Sequence, residues 1–194
     1  MSLNNFKVRT PVLFLFIFAI AMLRVAINII DPVSLIANFS PLGAMAIFSG
    51  AYFDRRAKAI VFPILMMLLS DLILQQTVFK NIGNGILYSG WYWVYGSFAL
   101  MAIAGRVILK TISISRCLLA VFICVLIHWV ISDLGVWIGS KMYAQNLGGF
   151  FSCLINAIPF EWRFICGTLV YGTILFGLFE SMQRKHPALQ LNRI

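Results

Sequence analysis

Four ionisable side chains lie within long apolar runs of the sequence, where a charged group is costly: Arg24, Asp71, His128 and Asp133. Residues of this kind usually face a partner of opposite charge or a water-filled cavity. Arg24, Asp71 and Asp133 follow the nearest preceding basic residue by 15, 13 and 17 positions, respectively. At a helical rise of about 1.5 Å per residue, all three lie roughly 20–25 Å into a hydrocarbon core about 30 Å thick. The spacing predicts that three helices bring their charges to one level.

Polar and aromatic side chains collect at this same predicted level, whereas the opposite halves of the helices have few of them. Polar groups from several helices can orient a small molecule, and aromatic rings supply flat apolar area, which is the usual composition of a small-molecule pocket. The sequence therefore predicts an outward-facing ligand pocket formed by Arg24, Asn38, Asp71, Gln75, Trp93, Tyr95, His128, Asp133 and Trp137.

Each of these residues also has a purely structural interpretation. Arg24 can be neutralised by Asp71 or Asp133 as a buried pair, because membrane interiors readily pair their charges. His128 can form a helix-to-helix hydrogen bond. Tryptophan residues such as Trp137 collect at the interfaces of any membrane protein. The two interpretations stay open at this point, and the shared level of the polar groups favours the pocket.

No motif for metal, cofactor or nucleotide chemistry accompanies these residues. The four cysteines form no C-x-x-C pair, and the second histidine, His186, lies in the basic tail, away from any H-E-x-x-H pattern. A Gly-rich nucleotide loop is absent. Asp71 and Asp133 resemble the paired aspartates of intramembrane proteases, but Asp133 lacks the Gly-x-Gly-Asp context. The sequence predicts a non-enzymatic protein without metal or cofactor, and an intramembrane enzyme using the two aspartates is one alternative.

The composition identifies the environment of these residues. Of 194 residues, 61% are hydrophobic and 11% are charged, whereas a soluble domain carries about a quarter charged residues. Of the 15 Lys and Arg residues, 11 fall in four clusters, at positions 7–9, 55–58, 106–116 and 184–193. They flank apolar runs instead of forming the contiguous basic stripe of a nucleic-acid-binding protein. The sequence therefore predicts an integral membrane protein whose partners are the lipid bilayer and a small-molecule ligand, with no nucleic acid.

The order of the basic clusters predicts the topology, because cytoplasmic loops collect Lys and Arg. The prediction is an all-α bundle of six helices with both termini cytoplasmic, forming a single transmembrane domain over residues 1–194. The predicted spans are 11–30, 39–53, 59–79, 91–109, 117–138 and 164–181. The apolar segment Gly148–Phe160 is too short to span. It is predicted to be a lid or an interfacial half-helix, with Gly148 and Gly149 as its hinge.

Five motifs resemble the signature of a bacterial family of uncharacterised six-helix membrane proteins. They are, in chain order, Asn38–Phe53 (NFSPLGAMAIFSGAYF), Ser70–Leu72 (SDL), Trp93–Ser97 (WVYGS), Asp133–Trp137 (DLGVW) and Ile158–Phe160 (IPF). The resemblance covers most of the chain from Asn38 onward. That family is similar in size and topology to the S components of energy-coupling-factor vitamin transporters, and in particular to the solitary cobalamin-transporting kind.

The resemblance implies a multi-pass protein of the bacterial inner (cytoplasmic) membrane that mediates uptake of a vitamin-type molecule, with cobalamin or a related compound favoured. S components that dock on a shared ATPase module often carry an Ala-x-x-x-Ala pattern on the first helix, which Ala19, Ala21 and Ala26 do not form. Solitary action is therefore at least as plausible as docking on an ATPase transport module. A non-catalytic accessory subunit of a larger membrane complex is the alternative function.

Overall fold

The computed structural model of the chain describes residues 3–30, 39–80 and 85–190, with side chains from residue 8 onward. These residues form six α-helices, a short 3-10 turn at Pro187–Leu189 and no β-strand. The helices are α1 (Leu3–Ile30), α2 (Leu42–Tyr52), α3 (Arg56–Thr77), α4 (Trp91–Ile108), α5 (Ile114–Gly139) and α6 (Leu147–Lys185). The predicted all-α bundle of six helices is confirmed.

Four of the described helices, α1, α3, α5 and α6, are long and apolar enough to cross a membrane. The second helix is different, because its 11 residues span about 16 Å at the helical rise, roughly half of a hydrocarbon core. The predicted span 39–53 is therefore a half-length helix. This short helix can lie inside the bundle because the other helices bury all of its residues.

Helix α2 is the centre of the bundle. All of its residues are buried, and it contacts each of the other five helices. Two glycines permit the closest of these approaches: a Cβ atom on Gly50 would lie 2.1 Å from the carbonyl oxygen of Ala102, and one on Gly105 would lie 2.9 Å from that of Ile47. Backbone contact between α2 and α4 depends on these small residues, as is common in membrane helix packing.

The predicted lid is wrong, because Gly148–Phe160 is the first part of α6 and not a separate element. The helix continues to Lys185 over 39 residues, and Pro159 lies within it without ending it. Its start is tightly fixed, since Asn146 Oδ1 accepts from the Gly149 amide at 2.8 Å. A Cβ atom on Gly149 would lie 1.9 Å from the Ala144 carbonyl oxygen, so this glycine serves close packing and not a hinge.

The polar pair Glu161 and Arg163 interrupts the apolar run in the sequence, which is why the prediction started the last span at residue 164. The helix passes through this point because Glu161 is buried against His128 of α5. The helices α5 and α6 form an antiparallel hairpin around the turn at residues 140–146. Residues at similar distances from this turn therefore lie side by side.

A polar cavity as the candidate functional site

A cavity of about 290 Å³ lies where the predicted outer halves of the helices meet. Its polar lining consists of Arg24, Asn28, Ser40, Tyr88, His128 and Glu161. Four phenylalanine rings supply most of the apolar lining: Phe79, Phe98, Phe160 and Phe164. The amino-terminal end of α2 lies at the cavity, because Ser40 and Leu42 both line it. Polar groups from several helices and aromatic rings thus enclose one space.

One wall of the cavity is an ion pair between α1 and α3. Arg24 Nη1 donates to Asp71 Oδ1 at 2.5 Å and to Ser70 Oγ at 2.6 Å, and Asp71 is only 5% exposed. From α4, the hydroxyl of Tyr95 donates to Asp71 Oδ2 at 2.8 Å. The predicted pairing of Arg24 is confirmed, with Asp71 as the partner. Asp71 and Tyr95 stand behind Arg24, which is the member of this network that reaches the cavity.

The opposite wall is a second pair, formed by α5 and α6. His128 Nδ1 lies 2.8 Å from Glu161 Oε1. The imidazole ring stacks on Phe164 with centroids 4.3 Å apart, and Phe98 meets it edge-on at 5.6 Å. These rings fix the orientation of His128 and keep its pair with Glu161 away from bulk water.

The second oxygen of Glu161 distinguishes this pair from the first. Glu161 is 7% exposed, and its Oε2 atom is buried without a hydrogen-bond partner among the described residues. A buried acceptor without a donor costs about 1–3 kcal/mol. A donor group that entered the cavity beside Glu161 would remove that cost. Glu161 can therefore accept a hydrogen bond from a donor group inside the cavity.

The two tryptophans of the predicted site have other roles. Trp93 packs against α5, where a Cβ atom on Gly135 would lie 2.4 Å from its ring. Trp137 donates from Nε1 to the Ala144 carbonyl oxygen at 2.8 Å and helps to form the turn between α5 and α6. Neither tryptophan is among the residues that line the cavity.

Gln75 and Asp133 also lie outside the cavity lining. Asp133 is close enough to His128 and Glu161 to interact with their charges, but it does not line the cavity. Asn38 falls outside the described residues. Of the nine residues predicted for the site, Arg24 and His128 line the cavity, and Asp71 and Tyr95 support Arg24 from behind.

Asn28 and Glu161 line the cavity, and the predicted site did not include them. Asn28 follows Arg24 at the i+4 position of α1, and its Nδ2 donates to the Arg24 carbonyl oxygen at 2.9 Å. That spacing is visible in the sequence. Glu161 has no comparable signal, because its partner His128 is 33 positions away and the two meet only once the α5–α6 hairpin has formed.

The two aspartates of the enzyme alternative lie in different surroundings. Among the described side chains, no group of three or more His, Cys, Asp and Glu residues could hold a metal ion. Asp71 directs both oxygens to Arg24 and Tyr95, whereas Asp133 associates with His128 and Glu161. Two aspartates sharing one proton must be adjacent, and these two have separate partners.

Comparison with known proteins identifies a family and no closer relative. Neither the curated proteins nor the solved structures contain a match to the chain. The model of the DUF6580 family, described as a family of unknown function, matches residues 4–189. That description names no ligand and no activity. Since the match covers nearly the whole sequence, the chain belongs to the DUF6580 family.

Proposed function

We propose that this protein is a membrane transport protein that binds a small vitamin-type molecule in the cavity and mediates its uptake across the bacterial inner membrane. The observation that carries the proposal is the buried Oε2 atom of Glu161, an acceptor without a donor in the wall of a polar cavity. Asp71, by contrast, has both oxygens satisfied by Arg24 and Tyr95.

The lining favours a ligand with two kinds of polar group. Glu161 Oε2 requires an N–H or O–H donor. On the other wall, Arg24 and the amino-terminal end of α2 favour an acidic or accepting group, since helix amino termini carry partial positive charge. The bond from Arg24 Nη1 to Asp71 leaves the other N–H groups of the guanidinium for a ligand. Between them, Phe98, Phe160 and Phe164 offer flat apolar surface for a ring.

The size of the cavity favours a compact ligand. Its volume of about 290 Å³ is at the lower end of the range of roughly 300–1,000 Å³ for small-molecule pockets. A corrinoid is larger than this space, so cobalamin would require the helices around the cavity to separate. A single-ring or fused-ring vitamin with one acidic group and one donor fits the described walls better.

The first experiment is identification of a co-purified ligand. The protein is purified in mild detergent and denatured, and the released small molecules are identified by mass spectrometry. The compound found is then supplied to an auxotroph that lacks its own importer, with and without the gene for this protein. Growth that depends on the gene supports uptake. A preparation that releases no small molecule and supports no growth on any vitamin contradicts the proposal.

Two carboxylates on the same helical hairpin provide a matched pair of variants. Glu161→Gln removes the charged acceptor in the cavity wall, and we expect the affinity for the ligand to fall at least tenfold, about the value of one charge-assisted hydrogen bond. Asp133→Asn makes the same chemical change at a residue that does not line the cavity, and we expect less than a twofold effect. Equal losses in the two variants would show that the cavity does not hold the ligand.

One observation favours the accessory-subunit alternative. A groove of about 340 Å³ lies between α2 and the α5–α6 hairpin. Ala44, Gly172 and Gly177 line it, and small residues of this kind allow a helix of a partner to approach closely. If the cavity proves empty, a single-cysteine variant at Gly172 that cross-links to a second membrane protein would support this function.

A further inference from the structure

A second cavity lies at the opposite end of the bundle from the proposed ligand site. It measures about 700 Å³ and is lined by residues of α3, of α4 and of the turn between α2 and α3. Its charged lining consists of Asp54, Arg56, Arg106 and Lys110. The rule for basic clusters places this end on the cytoplasmic side.

Arg106 is held in a fixed orientation at the back of this cavity. Its Nη1 donates to the Phe53 carbonyl oxygen at 2.8 Å, and its Nη2 donates to that of Asp54 at 2.6 Å. These bonds tie α4 to the end of α2 and leave other N–H groups of the guanidinium available to a ligand. A guanidinium oriented in advance binds an anion with less loss of side-chain entropy than a mobile lysine does.

The single acidic residue does not cancel the positive charge. Asp54 Oδ1 lies 3.5 Å from Lys58 Nζ, so the carboxylate already has a cation of its own. The three basic residues therefore dominate the lining. Asp54 Oδ2 is buried without a hydrogen-bond partner among the described residues. It can accept a hydrogen bond from the hydroxyl of a group bound in the cavity.

The rest of the lining is apolar and open toward the lipid. Ile60, Ile103 and Val107 continue the cavity along α3 and α4, and Ile103 and Val107 are 43% and 61% exposed. A free phosphate ion would use only the basic part of this lining. An amphipathic molecule would use both parts.

We propose that this basic cavity binds an anionic phospholipid of the inner leaflet. The phosphate contacts Arg56, Arg106 and Lys110, a hydroxyl of a glycerol headgroup donates to Asp54 Oδ2, and an acyl chain follows the apolar strip. Basic pockets between membrane helices on the cytoplasmic side bind lipid headgroups of this kind. The proposal is independent of the ligand in the outer cavity, because the two sites lie at opposite ends of the bundle.

Native mass spectrometry of the delipidated protein measures this binding directly. Phosphatidylglycerol and phosphatidylcholine are added in equal amounts, and the lipid-bound fractions are compared. We expect a clear preference for phosphatidylglycerol. The double variant Arg56→Gln/Lys110→Gln should lose roughly 25-fold in affinity, since each basic residue near an anionic surface contributes roughly fivefold.

A matched control distinguishes lipid binding in the cavity from general attraction between basic residues and anionic lipid. Arg184→Gln/Lys185→Gln also removes two positive charges, at the end of α6 and outside the cavity, and should change the affinity less than twofold. If both double variants lose lipid equally, the cavity is not the site. If either double variant fails to fold, as judged by its elution volume, the corresponding single variants replace it, with a loss of roughly fivefold expected only at Arg56 and Lys110.

Inorganic phosphate distinguishes the two sources of the phosphate group. We expect millimolar phosphate to leave the bound phosphatidylglycerol in place, because it cannot use the apolar strip. Displacement of the lipid by inorganic phosphate would overturn the proposal and identify the cavity as a site for soluble phosphates. Equal binding of phosphatidylcholine would overturn it as well.

Discussion

Two arginines on α1 show how differently the two ends of the bundle use a buried cation. Arg9 is 6% exposed. Its guanidinium donates to the main-chain carbonyls of Tyr52, at 2.8 Å, and of Leu189, and lies over the ring of Phe179 at 5.5 Å. Arg24, four turns further along the helix, pairs with a carboxylate and borders the outer cavity.

The two arginines differ in the kind of partner that they bind. Arg9 holds the fold together, whereas the groups around Arg24 can change partners. At the predicted inner end, Arg9 bonds to main-chain carbonyls and lies over the rings of Tyr52 and Phe179. That arrangement fixes Arg9 and fastens the carboxy-terminal turn. At the outer end, side chains pair with side chains around a cavity, and one acceptor stays without a donor. A ligand can replace a side-chain partner far more easily than a main-chain one.

We expect the two ends of the bundle to lie on opposite sides of the membrane. Cysteine labelling tests this prediction with an all-or-none result. In a background without native cysteines, a cysteine at Gln145, or at Asn84 outside the described residues, should react with an impermeant maleimide added from outside. Cysteines at Arg56 and Lys110 should react only after the membrane is permeabilised. The reverse pattern would invert the topology and place the lipid cavity in the outer leaflet.

The largest energetic effect is expected at Arg24. Arg24→Leu leaves the carboxylate of Asp71 buried and without its cation, and breaking a buried ion pair on one side costs about 3–5 kcal/mol. Thermal unfolding in detergent or denaturant titration would measure the loss. Arg24→Leu/Asp71→Asn should recover part of it, because the remaining group is neutral. A single variant as stable as the wild type would show that the pair is not maintained in the membrane.

A smaller loss is expected at Arg9, because its two described hydrogen bonds go to main-chain carbonyls and not to a carboxylate. Arg9→Leu should cost about 2–3 kcal/mol in the free energy of unfolding, the cost of leaving buried acceptors unsatisfied. Arg9→Lys keeps the charge but not the planar fork, so its loss should be intermediate. Ligand binding should not change in either variant. A loss of ligand affinity at Arg9 would contradict the division between the two ends.

The level of Arg24 and Asp71 could be predicted from the sequence because helical rise converts residue spacing into depth. The same arithmetic predicted that several helices contribute polar groups to one level. It could not say which groups face inward at that level. Trp93 and Asp133 have the expected depth but lie beyond the cavity wall, because the rotation of each helix is set by packing against its neighbours.

Helix length was predictable only where apolar runs are uninterrupted. The bounds of α4, at Trp91 and Ile108, agree with the predicted span. Helix α6 was shortened in the prediction because Glu161 looks like an interruption until its partner His128 is known. That pairing is a tertiary contact between residues 33 positions apart. The most informative residue of the site was therefore the one whose position depended on packing.

The smallest effect on stability is expected at Glu161. The sign of the change in its free energy of unfolding is the sharpest test of the difference between the two ends of the bundle. Glu161→Gln removes a buried charge whose Oε2 atom has no donor among the described residues, while the amide oxygen still faces His128. A neutral amide is less costly to bury than a charge, so the free energy of unfolding should stay the same or rise by up to about 1 kcal/mol.

Asp71→Asn is the matched control, since it makes the same change in a carboxylate whose two oxygens both accept hydrogen bonds. It should destabilise the protein, because Arg24 loses its counter-charge. Denaturant titration of both variants without ligand gives the comparison directly. If Glu161→Gln destabilises as much as Asp71→Asn, the carboxylate of Glu161 is a structural partner like Asp71, and the cavity loses the group that makes it a binding site.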